Sequence, residues 1–342
     1  MSIVSDDIKD FITTALAQKL KSIKPVYGGG NNQIYRIILQ DNNQYALKNY
    51  HVHDIKRDQM RLHREYNGFI FLHEYGEQQI PKAIACDKGK LLAIYSWITG
   101  DPIVKISNKN IMAVVDFVSR LKHYSKLKAA KKILPASDNV LYPKRLFTQI
   151  ERRLKFLEKE AYQNRSLQVF LHEQYKPTYQ QIRKKFYEKD CLLWMPLSLN
   201  QAILSPSDLG FHNMLKKTDG SIFFVDFEYF GWEDPAALLA HFLLHPGMKL
   251  SQSNKTLFYN AVSALFSEDV TFQKRFHVLH FLLGFVWILI LLNEFLPFIK
   301  TRRLSAGQFN LSEVEKIQMM QLQKAQQRLD KLKQMEKETY LC

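Results

Sequence analysis

The sequence predicts an α+β protein in two lobes, a small N-terminal lobe built on an antiparallel sheet and a larger, mainly helical C-terminal lobe. Three observations carry this prediction. Residues 32 to 50 place alternating side chains on either side of an Asp41-Asn42-Asn43 turn, the pattern of a hairpin. A further apolar strand, "KLLAIYS", is followed by Gly100-Asp101-Pro102, which breaks the pattern sharply. Beyond it the apolar spacing turns helical over long stretches. The boundary is therefore placed between residues 1–98 and 99–342.

Taken in order, the chain opens with a helix from Asp6 to about Leu20. Gly28, Gly29 and Gly30 head the hairpin, and their backbone N–H groups suit either a phosphate nest or a plain flexible connection. Lys48 lies on the second strand of the hairpin. The helix that follows carries Leu62, Tyr66, Phe69 and Leu72 as its apolar stripe, with Glu65 inside it. An unpaired carboxylate there is expensive, and Lys48 is an available cation. A strand lysine held by a helix glutamate positions nucleotide phosphates.

In the larger lobe, amphipathic stretches run from Asn110 to Ala130 and from Pro143 to Leu171, the second burying Leu146, Phe147, Ile150, Leu154 and Leu157. The most apolar stretch, "FLLGFVWILILL", has 12 residues before Asn293 and Glu294. That is short of the ~20 needed to span a bilayer, so it reads as a buried helix, and no transmembrane segment is expected. A C-terminal helix is predicted over about 311–338, with Ser312 and Glu315 as a capping box and Leu322, Ala325, Leu329 and Leu332 at heptad spacing. Packing on the larger lobe is the first reading of that helix. Pairing in a dimer and lysine contact with an anionic surface are the others, so monomer and dimer both stand.

Composition excludes several classes. The 342 residues are 46% hydrophobic and 13% aromatic, which describes a folded chain. Cys86, Cys191 and Cys342 are too widely separated for a metal-type pairing. The N-terminus carries Asp6, Asp7 and Asp10 and no basic-then-apolar signal, so a cytoplasmic protein is expected. The net charge of +15 favours anionic ligands, but the basic groups sit on helical-looking segments without a recognised nucleic-acid motif. No nucleic-acid partner is expected.

The chemistry concentrates in "LSPSDLGFHNML", where Asp208 and Asn213 stand five residues apart, and in "SIFFVDFEYFGWEDP", where Asp226 follows Asn213 by thirteen. Alone, Ser205-Pro206-Ser207-Asp208 reads equally as a turn. Between the two motifs a strand, a Thr-Asp-Gly-Ser turn and a second strand bring Asp226 back toward Asn213. The set then holds an aspartate able to accept a hydroxyl proton and an Asn/Asp pair able to supply hard oxygen ligands.

Together "GGGNNQIYRI", "YALKNY", "HREYNGF", "IYSWITG", "SDLGFHN" and "VDFEYFGWEDP" resemble, in order and spacing, the aminoglycoside phosphotransferase and choline kinase family of the protein-kinase-like fold. The resemblance covers about residues 25 to 240. It implies an ATP- and magnesium-dependent kinase that phosphorylates a hydroxyl of a small molecule. Within it Asp208 is the catalytic base, and Asn213 and Asp226 bind magnesium. Lys48 contacts the α- and β-phosphates, braced by Glu65, under a loop of Gly28 to Gly30 with Asn32 beside it. The chain at Tyr95, Trp97 and Ile98 holds the adenine, and Asp234 caps the helix that starts at Pro235.

Three departures from the family pattern stand out. Pro206 and Ser207 replace the first two residues of the usual His-Gly-Asp triplet; His212 stands where relatives carry a small residue; and Leu238 occupies the place of a second acid. They point to a subgroup with its own acceptor rather than a drug-resistance enzyme, and the positive charge favours a sugar, an envelope-glycan precursor or another anionic or phosphorylated acceptor over a polycationic aminoglycoside. The alternative is an inactive kinase-like protein that binds a nucleotide or a partner. The presence of Lys48, Glu65, Asp208, Asn213 and Asp226 together argues against it.

Overall fold

A computed structural model describes residues 6–26, 32–50, 54–188, 195–297, 299 and 311–338. The chain divides into two compact units, residues 1–137 with 204–231, and residues 138–203 with 232–342.

The first unit is built on a five-stranded antiparallel sheet of order β1-β2-β3-β5-β4. Its strands are β1 (Leu20–Val26), β2 (Asn32–Leu39), β3 (Gln44–Tyr50), β4 (Ala83–Asp87) and β5 (Leu92–Ser96). Helix α1 (Asp6–Leu16) ends sooner than predicted, because Ala17 takes a left-handed backbone at φ 50°. The residues after it form β1, a strand the sequence reading missed. Its Pro25 is tolerated because β1 is an edge strand. Ile12 of α1 packs with Tyr35, Ile37, Leu39, Leu47, Leu92 and Ile94, which covers one face of the sheet.

Helix α2 (Ile55–Glu74) lies against β3, β4 and β5, opened by Asp54, whose side chain accepts from the N–H groups of Lys56 and Arg57. The short β6 (Asp101–Pro102) joins a second sheet with β8 (Met214–Lys216) and β9 (Ile222–Phe224), in the order β6-β8-β9. Helix α3 (Asn108–Ser125) is closed at its start by a reciprocal Ser107/Asn110 capping box. A 3-10 turn at Lys128–Lys132 replaces the tail of the predicted helix. Strands β7 (Ile203–Ser205), β8 (Met214–Lys216), β9 (Ile222–Phe224) and β10 (Gly231–Glu233) complete the strand set.

The second unit is helical. The stretch predicted as one helix is broken: α4 (Arg145–Ala161) stops, Asn164 caps α5 (Arg165–Val169), a π-helical turn follows at Phe170–Tyr175, and α6 (Lys176–Glu188) continues. Asn164 ends the run by accepting from Leu167 N, a local bond that competes with the helix. After α7 (Pro235–Leu244) and α8 (Gln252–Leu265) comes α9 (Phe272–Leu291). The apolar helix is thus longer than the 12 residues read from sequence. With the turn that follows, Phe272–Phe295 is long and apolar enough to cross a membrane, yet 78% of its most apolar window is buried inside the protein. Helix α10 (Leu311–Glu338) packs on α9 through buried Leu322, Ala325, Leu329 and Leu332, the heptad positions. The side chain of Ser312, read from sequence as part of a capping box with Glu315, lies outside the described residues.

Candidate active site

Strand alternation sorts β3. Leu47, opposite Tyr35 and Ile94, belongs to the face under α1, so Ala46, Lys48 and Tyr50 share the face under α2. Tyr95, opposite Ala46 on β5, shares that face. Glu65 enters from the helix. Lys48 Nζ donates to Glu65 Oε2 at 2.5 Å and to Asp226 Oδ1 at 2.6 Å, with Glu228 Oε2 at 3.7 Å. Tyr50 Oη donates to the same Glu65 oxygen at 2.7 Å and shares a 2.8 Å bond with Tyr95 Oη.

A second layer fixes Glu228. Arg61, one helical turn before Glu65, donates from Nη2 to Glu228 Oε2 at 2.5 Å and to Asn32 Oδ1 at 3.0 Å. Its Nη1 reaches Asp58 Oδ1 at 2.9 Å, and Asn32 Nδ2 donates to Glu228 Oε2 at 2.7 Å. Lys48, Arg61, Glu65 and Glu228 are all buried, a placement tolerable only because each charge is paired and hydrogen-bonded.

The electrostatics follow from this packing. Burial opposes the Lys48 ammonium, but the carboxylates of Asp226, Glu65 and Glu228 outweigh it and raise its pKa. Burial likewise opposes the Glu228 carboxylate, yet Lys48, Arg61 and the Asn32 amide hold it down at about 2. Asp226 goes the other way. Desolvation, with repulsion from Glu228 and Glu65, exceeds the help from Lys48 and pushes it up to about 7, although a third of its side chain stays open.

Two left-handed residues shape the site loops, Ser207 at φ 63° after β7 and Asp226 at φ 65° after β9. Ser207 N donates to Ser205 Oγ at 2.9 Å, turning the chain into Asp208. A 3-10 turn at Phe211–Asn213 then lets Asn213 Nδ2 donate to the Asp208 carbonyl at 3.0 Å. The β8–β9 hairpin closes through Lys217 and Gly220, whose φ of 86° suits glycine. Val225 N then donates to Asn213 O at 3.0 Å, which ties the approach to Asp226 to Asn213. Phe227 N donates to Glu65 Oε1 at 3.3 Å, so the loop and α2 are held together.

His212 Nε2 lies 3.2 Å from Asp208 Oδ2. Partial burial disfavours its charge, but the hydrogen bond and charge of Asp208, with Asp226 beyond, raise its pKa above the ordinary histidine value. The sequence reading left His212 as a space filler or a substrate contact. The structure gives it a carboxylate partner.

Other predicted residues are placed as follows. Gly28, Gly29 and Gly30 lie outside the described residues. Trp97, just past β5, carries the Arg36 guanidinium 4.9 Å over its ring, and its backbone N–H donates to Gln44 O at 3.4 Å. Ile98 follows, half-buried. Asp234 caps α7, accepting from Ala236 N at 2.8 Å, and pairs with Arg275 at 2.9 Å. Sequence reasoning missed Tyr50, Arg61 and Glu228. Glu228 was signalled by its i+2 spacing from Asp226 in "VDFEYF", and Arg61 by its place one turn before Glu65.

Asn213 and Asp226 offer hard oxygen donors of the type magnesium takes. Asn213 commits its amide nitrogen to Asp208, which leaves the amide oxygen as a donor, and Asp226 adds a partly open carboxylate. Carboxylate oxygens of Glu65, Asp226 and Glu228 lie within 4.8 Å of one another.

Among protein-family models none matches the chain, and no curated protein matches it in sequence. Solved structures do match. The choline kinase from Cryptosporidium parvum superposes with a TM-score of 0.55 at 14% identity, over 86% of this chain and 90% of that one. The ethanolamine kinase from Plasmodium vivax gives 0.57 at 13% identity, over 93% and 86%. The streptomycin-ATP-APH(2")-IIa ternary complex gives 0.58 at 18% identity, over 85% and 91%. The likeness is one of fold.

Proposed function

From a chain with the protein-kinase-like fold shared by choline kinases, ethanolamine kinases and aminoglycoside phosphotransferases, we propose an ATP-dependent phosphotransferase. It moves the γ-phosphoryl group of ATP to a hydroxyl of a small molecule, such as a sugar, an envelope-glycan precursor or an amino alcohol. The observation that carries this reading is the buried Lys48–Glu65 pair, 2.5 Å apart, with Asp226 on the same ammonium. A salt bridge that costly to desolvate is retained for what it positions.

In this reading residues 1–98 form the nucleotide-binding lobe. Lys48 contacts the α- and β-phosphates while Glu65, itself fixed by Tyr50, holds the ammonium in place. Gly28, Gly29, Gly30 and Asn32 lie over the phosphates, and the backbone around Tyr95, Trp97 and Ile98 receives the adenine. Asn213 and Asp226 hold magnesium, which neutralises charge on the phosphate oxygens when bound. Asp208 accepts the hydroxyl proton as the acceptor oxygen bonds to the γ-phosphorus and the bond to ADP breaks. His212 steadies one Asp208 oxygen.

The test is magnesium-dependent ATP turnover by purified wild type and Asp208→Ala against pooled sugars, amino alcohols, nucleosides and aminoglycosides, with product detected by mass spectrometry. A phosphorylated product that falls about 10²–10⁴-fold with Asp208→Ala supports the assigned base. Failure to bind ATP with magnesium in calorimetry overturns the kinase reading. ATP binding with no product from any pool, and none from cell-extract metabolites, favours an inactive nucleotide-binding protein.

A further inference from the structure

The outer face of α4, wholly within the second unit, has no part in the chemistry above. Helical spacing puts Arg145, Arg152, Phe156 and Lys159 on one stripe, with Lys155 beside it, opposite the buried Leu146, Ile150, Leu154 and Leu157. All five stripe residues are exposed. No carboxylate shares the stripe. Glu151 and Glu158 lie toward one flank, where they pair with Arg183 and Lys176, and Glu160 is half-buried on the other. Arg152 leans at 3.4 Å on Asp138 from the loop before the helix, and Arg145 donates to Asn139 Oδ1 at 3.0 Å. Lys155 and Lys159 make no ion pair among the described residues.

Two rings accompany these cations. Phe156 is 52% exposed in the middle of the stripe, and Tyr162, at the end of the helix, is 85% exposed. One exposed apolar residue is ordinary on a protein surface. Rings set among cations on a single helix face make the pattern of a headgroup boundary, with the charges on lipid phosphates and the rings at the acyl edge. Three residues past Tyr162 the chain enters a groove of about 620 Å³, lined by Arg165, Ser166 and Val169 of α5 and by the exposed Met319 and Met320 of α10. Arg165, the charged residue of that lining, is again a cation. Helix α10, whose lysines the sequence reading offered to an anionic surface, carries no aromatic residue, and its Lys333 lies 3.9 Å from Asp330.

Independently of the kinase reading, we propose that the outer face of α4, with the groove that follows it, docks on an anionic lipid surface. Arg145, Arg152, Lys155 and Lys159 meet the lipid phosphates, and Phe156 and Tyr162 enter the acyl boundary. A nucleic acid duplex offers the phosphates without an apolar layer beneath them for the rings.

The test is co-sedimentation of the full chain with vesicles of phosphatidylcholine alone and of phosphatidylcholine mixed with phosphatidylglycerol, at low and high salt. Binding is expected to be about tenfold or more tighter on the mixed vesicles and to weaken with salt. Arg152→Glu/Lys159→Glu is expected to weaken it by about tenfold or more, and Phe156→Ser severalfold, both with the wild-type unfolding temperature. Lys324→Glu/Lys331→Glu makes the same charge change at exposed positions of α10 and is expected to leave binding nearly unchanged. Equal affinity for the two vesicle types, or an equal loss in the α10 pair, overturns the docking face. Phe156→Ser binding vesicles as wild type does, with duplex DNA binding lost in Arg152→Glu/Lys159→Glu, overturns the lipid surface in favour of a nucleic acid.

Discussion

Single residues in this chain carry strain and pairing that set measurable outcomes. Ser207 takes a left-handed backbone that costs an L-residue roughly 1–2 kcal/mol, and its hydroxyl is buried without a partner among the described residues. Glycine removes both penalties, so Ser207→Gly is expected to stabilise the fold by about 1 kcal/mol in urea unfolding. A loss of stability would mean the serine makes a contact that outweighs its strain. Tyr50 offers the opposite case. Tyr50→Phe strips the hydroxyl from Glu65 and Tyr95, and is expected to cost about 1–2 kcal/mol and to weaken ATP binding several-fold; unchanged ATP affinity in calorimetry would show that Glu65 needs no such brace. Glu233 supplies a pH test. Burial pushes its carboxyl up to about 8, against two backbone N–H bonds that favour the charge. Because the folded pKa lies above the ordinary 4.5, the folded state prefers the protonated acid. Its contribution is full below about pH 4.5 and is lost as pH rises through 8. Glu233→Gln should flatten that fall, read as unfolding free energy between pH 5 and 8. A curve as steep as wild type would assign the fall to other groups. Lys48 and Glu65 were legible because a carboxylate inside an apolar stripe demands a cation. Tyr50 was not, since a buried tyrosine in a strand looks like core until its hydroxyl partner is seen.

At the scale of elements, what was legible depended on how far local signals agreed. The β2–β3 hairpin and the β8–β9 hairpin were readable because alternation and turn residues coincide. The edge strand β1 was hidden behind a helix whose end is set by one left-handed alanine, a conformation that residue type does not announce. The predicted Pro143–Leu171 helix kept its buried face but was cut at Asn164, where a side-chain cap won over propensity. The α9–α10 contact turned on a glycine. A Cβ at Gly284 would come within 2.7 Å of a Leu332 methyl, so the two helices approach as closely as they do because residue 284 has none. Gly284→Val is expected to destabilise the chain by about 1–3 kcal/mol by overpacking this seam. Adding Leu332→Ala should restore part of the loss, and a pair of effects that simply add would place the strain elsewhere.

For the whole molecule, the deciding fact is that the residues assigned to nucleotide and metal lie in one compact unit but come from two stretches of chain. Lys48 and Glu65 belong to residues 1–137, and Asp208, Asn213 and Asp226 to residues 204–231. The sequence reading set its boundary at residue 98 from a break in local pattern, and nothing local announces that residues 204–231 return to the unit of residues 1–137 after residues 138–203. Long-range bonds such as Lys48 to Asp226, Arg61 to Glu228 and Phe227 N to Glu65 join them, and these form only in the folded chain. Nucleotide that bridges those two stretches binds the folded state alone and stabilises it by mass action, about 2.7 kcal/mol at a hundred times its dissociation constant. ATP with magnesium is therefore expected to raise the unfolding temperature of the wild-type chain by several degrees. Lys48→Ala should abolish the shift, because it removes the phosphate contact and leaves Glu65 and Asp226 as unpaired neighbours. Asp208→Ala should keep it, since a base that touches the acceptor adds little to nucleotide affinity. Calorimetric scans of the three chains, with and without nucleotide, decide between the assignments. An equal shift in Lys48→Ala would move the phosphate site off β3, and loss of the shift in Asp208→Ala would make that aspartate part of nucleotide binding rather than of proton transfer.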